Sequence, residues 1–132
     1  MTWSRTAHQI TPFLHVPDLE RAIELFTGTL AFKVVYRESN YAYLEFGGAG
    51  LRILEERGRR LCLDGKARVT VYMDIPDVDA LYAQLLPHLK LLPAADIEPP
   101  LDKSWKQREF QVRLPDGDWL TFGQPVRGPS KS

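Results

Sequence analysis

The sequence predicts an α+β fold made of two pseudo-symmetric βαβββ modules, with curved mixed sheets around a groove and the helices on the outer faces. Three observations predict it. First, Leu14-His15-Val16-Pro17-Asp18-Leu19-Glu20 returns as Met73-Asp74-Ile75-Pro76-Asp77-Val78-Asp79, at an offset of 76 − 17 = 59 residues. Second, each copy opens a run with apolar residues at helical spacing. Third, three short strand-like runs separated by turn residues follow each helix. Two copies suit two halves of one domain, since a solenoid needs about three or more repeats. The competing reading is coincidence, because Pro-Asp before a helix is common.

The elements follow in order. Residues 9–16 read as a strand, with Thr11, Phe13 and His15 on one face and Pro12, Leu14 and Val16 on the other. Proline fixes its own φ and disfavours helix in the residue before it, so this strand stops at Pro17. Asp18 can cap the helix expected over 18–28, whose buried stripe is Leu19, Ala22, Ile23 and Phe26. Gly28 can end it. Strands are expected over 32–38, 41–46 and 51–55, with Ser39-Asn40 and Gly47-Gly48 as turns. Residues 56–66 are charged, carry Gly58 and Gly65, and read as the connection between halves. The second half repeats the order: a strand over 67–75, a helix over 77–86 ended by Pro87, and a short strand within 89–98. A loop over 99–106 then leads to strands over 108–114 and 119–122, joined through Pro115-Asp116-Gly117-Asp118. The modules thus span about 9–56 and 67–123 of a single domain, 1–132, and the Pro-, Gly- and Ser-rich tail 124–132 should fray.

Composition excludes several classes. Lysines plus arginines equal aspartates plus glutamates at 17 each, so there is no basic footprint for nucleic acid. A hydrophobic content of 44% argues against disorder. The lone Cys62 makes neither an internal disulfide nor a cysteine metal cluster. No stretch is apolar enough to span a bilayer, so a cytoplasmic protein without membrane partners is expected. Between two curved sheets, the faces turned away from the helices would line an apolar groove that suits a small molecule. Thr11, Phe13, Arg52, Thr70 and Tyr72 fall on those faces.

Three stretches carry a family likeness. They are Val16-Pro17-Asp18-Leu19-Glu20-Arg21-Ala22-Ile23-Glu24-Leu25-Phe26, Trp105-Lys106-Gln107-Arg108-Glu109-Phe110 and Leu114-Pro115-Asp116-Gly117-Asp118-Trp119-Leu120-Thr121-Phe122. Across residues 9–123 the chain resembles the vicinal oxygen chelate superfamily, the glyoxalase/bleomycin resistance protein/dioxygenase fold. The order Trp…Arg-Glu-Phe…Pro-Asp-Gly resembles the bleomycin-resistance subgroup. The resemblance implies a homodimer with paired grooves, with domain exchange possible at 56–66 or in the N-terminal arm.

Enzymes of the superfamily hold a divalent metal with His and Glu on the first and last strands of each half. Carried onto this chain, those positions are Thr11, Arg52, Thr70 and Thr121. Threonine is a poor donor here and arginine cannot ligate, so no metal and no cofactor are expected. His15 shares a face with Thr11 but has Asp74 at its repeat position, and His8 and His88 lie elsewhere. Each histidine reads more simply as a solvated or hydrogen-bonded side chain.

In bleomycin-resistance proteins aromatic side chains hold a flat ligand, and the matching places are Tyr36, Tyr41, Tyr72 and Trp105. Tyr and Trp suit that task because each offers an apolar face and a polar handle. The alternative is that they are ordinary strand and core aromatics. Phe13, His15 and Arg52 complete the expected ligand-binding set; Trp119 and Tyr43 stand equally between site and core. Bleomycins are cationic and their binders have acidic grooves, whereas this chain is neutral and places Arg52 where a carboxylate would stand. Complementarity then favours a neutral or anionic aromatic ligand, unless Arg52 merely pairs with Glu45, Glu55 or Glu109. Two function classes follow. One is a metal-free binding protein that sequesters a planar aromatic molecule, as in antibiotic resistance. The other is an enzyme of the same fold, a lyase, isomerase or dioxygenase using a metal or an acid–base site at His15, Glu109 or a tyrosine. A structural or regulatory dimer with a vestigial groove is a third option.

Overall fold

The computed structural model describes residue 6 and residues 8–58, 69–115 and 117–127. Cys62, most of the expected connection over 56–66 and the end of the tail lie outside the described residues. The chain divides into two compact units. The first holds β1 (Phe13–Val16), α1 (Leu19–Glu24), β2 (Lys33–Arg37), β3 (Tyr41–Phe46) and β4 (Ala49–Glu55). The second holds β5 (Thr70–Asp74), α2 (Val78–Leu89), β6 (Ile97–Asp102), β7 (Gln107–Arg113) and β8 (Trp119–Pro125). Each is the expected βαβββ. The sheet orders are β1-β4-β3-β2 and β5-β8-β7-β6, and in each only the first pair is parallel.

The register repeats as well. Phe13 stands opposite Arg52 and Tyr72 opposite Thr121, matching 13 + 59 = 72 and 52 + 69 = 121. Alternation along the strands then sorts the faces. In the first unit Leu14, Ala42, Leu44, Leu51 and Ile53 are buried together with Leu19, Ala22 and Ile23 of α1 and Phe26 just beyond it. In the second, Phe110, Val112, Leu120 and Phe122 are buried with Val78, Leu85 and Leu89 of α2. Tyr82 sets its ring edge-on to Phe110 at 5.3 Å, and Phe110 stacks on Phe122 at 4.6 Å.

The two helices start alike. Asp18 accepts from the Arg21 N–H at 3.1 Å and Asp77 from the Ala80 N–H at 3.0 Å, which confirms both caps. A second acceptor comes from the end of the parallel strand. The Leu19 N–H donates to the Glu55 carboxylate at 2.9 Å, and the Val78 N–H donates to the Gln124 amide oxygen. These are again equivalent positions, since 55 + 69 = 124. The first turn of each helix is thus tied to the strand it packs against.

Three elements depart from the sequence reading. Pro87 does not end the second helix, which continues to Leu89. Proline costs the bond to the residue four back, but here it sits in the last turn, and two further residues bring Leu89 to complete burial. Residues 99–102 are not loop but part of β6, despite Pro99 and Pro100. β6 is an edge strand, and its ladder is irregular between Glu98 and Leu101, so the prolines fall where no ladder donor is required. Gln124 and Pro125 belong to β8 rather than to a fraying tail, because the Gln124 side chain is held at α2. In addition, α1 passes into a π-helical turn at Leu25–Thr29, where the Thr27 hydroxyl donates to the Ile23 carbonyl at 2.7 Å.

Replacing Gln124, which is 8% exposed, by Leu strands the Val78 N–H and should cost about 1–3 kcal/mol in denaturant unfolding. Glu55 gives a pH prediction. Its bond from the Leu19 N–H, and then the one from Arg57, hold its carboxyl below the usual value of 4.5. Its stabilisation is therefore complete above that pH and is lost as pH falls through the lowered value. Acid unfolding of Glu55→Gln should show a flatter decline over that window than the parent.

Candidate functional site

Alternation places Phe13, His15, Tyr41, Tyr43 and Arg52 on the face of the first sheet turned away from α1. Tyr36 joins them, because an irregularity after Val34 in β2 brings it opposite Tyr43. The rings touch in series. Phe13 meets His15 at 5.5 Å and Tyr41 at 6.0 Å, and Tyr36 meets Tyr41 at 6.2 Å. Phe13 and Tyr36 are 48% and 50% exposed, which is a large open aromatic surface for strand residues. They are not core aromatics.

Arg52 lies within this face. Its guanidinium donates to the Tyr41 hydroxyl at 2.5 Å and stands over the Tyr43 ring at 5.2 Å. Among the described residues no carboxylate forms an ion pair with it. Glu55 is engaged by Leu19 and Arg57, and Glu109 accepts from Trp105. The expected alternative of a structural Arg52–Glu pair is therefore not what forms. His15 sits 3.3 Å from the Glu56 carboxylate through Nδ1. The Tyr36 hydroxyl donates to Glu38, and that bond raises the phenol pKa.

The corresponding face of the second sheet carries Tyr72, Gln107, Glu109, Gln111 and Thr121. The Tyr72 hydroxyl donates to the Gln107 side-chain oxygen at 3.1 Å. Burial, then the neighbouring Glu109 carboxylate, push its pKa up to about 12. Trp105 sits in the short turn between β6 and β7, which closes with Lys106 at φ 70°. Its indole N–H donates to Glu109 at 2.9 Å. Tyr72 and Trp105 are thus brought to one carboxylate within the second unit.

Two glycines make room for these phenols. A Cβ on Gly123 would lie 1.8 Å from the Tyr72 hydroxyl, and one on Gly50 would lie 2.1 Å from that of Tyr43. The sequence reading missed both, and also missed Glu109 as the partner of Trp105. The Trp-x-x-x-Glu spacing at the mouth of a hairpin was the available signal.

No family profile matches the chain. It is 24% identical over 132 residues to a bleomycin resistance protein of Geobacillus stearothermophilus, covering 90% of this chain and 98% of that one. The structure of a bleomycin-binding protein complexed with bleomycin aligns with TM-score 0.72 at 22% identity, over 89% of this chain and 98% of the other. The chain has the bleomycin-resistance fold. The bleomycin-binding protein of Streptomyces verticillus, complexed with copper(II)-bleomycin, aligns with TM-score 0.71 at 19% identity, over 93% of this chain and 98% of that one. A glyoxalase/bleomycin resistance protein/dioxygenase from Nocardioides gives TM-score 0.67 at 19% identity, over 98% and 93% of the two chains. The resemblance read from Trp105 to Phe110 and from Leu114 to Phe122 is thereby confirmed at the level of fold.

That fold implies a metal site in its enzymes, and the donor set here does not fit one. Thr11 accepts from the Gln9 amide at 2.7 Å and Thr121 from the Gln111 amide at 3.0 Å, while Arg52 is a cation. Among the described residues no group of three or more His, Cys, Asp or Glu side chains converges on a common point. No helix among them is long and apolar enough to cross a membrane.

Gly123→Ala tests the close approach. The added methyl must displace the Tyr72 phenol from its place against Gly123. Ultraviolet titration of tyrosinate should then show the Tyr72 ionisation falling from about 12 toward the ordinary 10.0.

Proposed function

We propose that the chain is a metal-free small-molecule binding protein that sequesters a planar aromatic ligand, as an antibiotic-resistance protein would. The observation that carries this reading is the open aromatic face of Phe13 and Tyr36, joined through the half-buried Tyr41 ring, a surface that a folded sheet has no need to expose. Similarity to proteins named for bleomycin resistance and bleomycin binding supports sequestration. A homodimer with paired grooves, expected from the family resemblance, belongs to the same proposal.

Arg52 sets the sign of the ligand. A guanidinium without a carboxylate partner among the described residues, beside the Tyr41 hydroxyl, favours a neutral or anionic molecule over a cationic one. The enzyme alternative has less support. A Tyr72 phenol that keeps its proton up to about pH 12 is a poor acid or base near neutrality, and no metal donors stand at the four superfamily positions.

A thermal-shift screen of flat aromatic compounds should find binders, because binding to the folded state raises Tm by mass action. Trp105→Ala should weaken such a binder about tenfold or more, with quenching of tryptophan fluorescence as the readout. Arg52→Met should weaken naphthalene-2-carboxylate about tenfold while changing naphthalene-2-carboxamide little, since a charge-assisted bond is worth about 1.5–3 kcal/mol. Metal analysis should find no stoichiometric metal, and a chelator should leave Tm unchanged. Light scattering should show a dimer at micromolar concentration; a monomer would remove the shared-groove version.

A further inference from the structure

Glu109 is the one residue of the second sheet whose chemistry is not explained by folding alone. It is 2% exposed, and its register neighbours are Leu101 on β6 and Gly123 on β8. A leucine would fill such a place at no desolvation cost, whereas a carboxylate must be matched by donors. No lysine or arginine among the described residues forms an ion pair with it; the nearby Lys103 is bound to Glu98 instead. Its donor is the indole N–H of Trp105, 2.9 Å away, with the Tyr72 phenol beside it and Gly123 leaving that phenol its room.

Trp105 itself is 60% exposed in a tight turn. An exposed indole on a turn ordinarily samples several rotamers, and nothing in the packing of the sheet calls for it to be fixed. Here its N–H edge is anchored on a buried carboxylate, and the Lys103 ammonium stands over the ring, 5.9 Å from its centroid. We infer that Glu109 is a positioning residue, whose buried carboxylate holds the Trp105 indole in one orientation so that a ring face is presented, pre-set, to a stacked flat ligand. A ring ordered before binding loses less freedom when the ligand arrives. The ligand part rests on the binding role proposed above; the anchoring part does not.

Two measurements keep those parts separate. The first needs no ligand. In the unmodified protein the Trp105 indole N–H, assigned by its loss in Trp105→Phe, should exchange with solvent about tenfold or more slowly than a free indole, despite the exposed ring. Exchange at the free-indole rate would overturn the anchor outright. The second compares Glu109→Gln, which keeps an acceptor oxygen, with Glu109→Leu, which has none. Glu109→Gln should retain the slow exchange and bind naphthalene-2-carboxamide within about threefold of the parent; Glu109→Leu should lose both, binding about tenfold more weakly. Should Glu109→Leu fail to fold, the exchange rate in the parent and in Glu109→Gln still decides the anchor. Fast exchange with unchanged binding in a folded Glu109→Leu would overturn the ligand-orienting role, and slow exchange there would overturn Glu109 as the anchor. Slow exchange in the parent with no aromatic binder at all would refute the proposed function and leave the anchor standing.

Discussion

The first turn of each helix governs what the rest of each unit can present. Free N–H groups at a helix start must find acceptors, and the chain supplies two at each start, one local and one from the end of the parallel strand. The local Asp fixes where the helix begins. The strand-end Glu55 or Gln124 fixes where that beginning sits on the sheet. Once the helix is pinned, one face of the sheet is committed to packing and the other is left open for other chemistry.

On that open face the two units carry different chemistry on equivalent positions. Phe13 and Tyr72 are repeat equivalents, as are Arg52 and Thr121. The first unit sets a cation among touching rings. The second buries a carboxylate under a phenol and an indole. Both rely on a glycine in the strand that runs beside a tyrosine, Gly50 for Tyr43 and Gly123 for Tyr72, where only a missing side chain lets the phenol lie close. The fold is kept, while Thr11, Arg52 and Thr121, three of the four positions expected to hold metal ligands, make side-chain hydrogen bonds instead.

Much of this was legible in the sequence because it is local. Tyr41–Phe46 emerges with the bounds its alternation predicts, and both Pro-Asp caps form as read. The prolines were misread where tertiary context overrides a local rule. Pro87 is carried in a final turn by the burial of Leu89, and Pro99-Pro100 survive in a strand because that strand has a free side. Five of the expected site residues, Phe13, His15, Tyr36, Tyr41 and Arg52, gather on one sheet face, while Tyr72 and Trp105 gather on the other sheet around Glu109. Long-range pairings such as Gln124 with Val78, 46 residues apart, leave no periodic trace to be read.

The proline pair in β6 has a consequence for how the protein behaves in a crowded solution. An outermost strand normally offers a row of unspent amide hydrogens to any passing chain, which is how sheets grow into fibrils. Pro99 and Pro100 carry no amide hydrogen, so β6 has two adjacent positions without a donor, and the irregular register between Glu98 and Leu101 interrupts the template there. The margin of the second sheet at β6 is therefore a dead end for strand-by-strand growth, and intermolecular pairing of that kind is turned away from it.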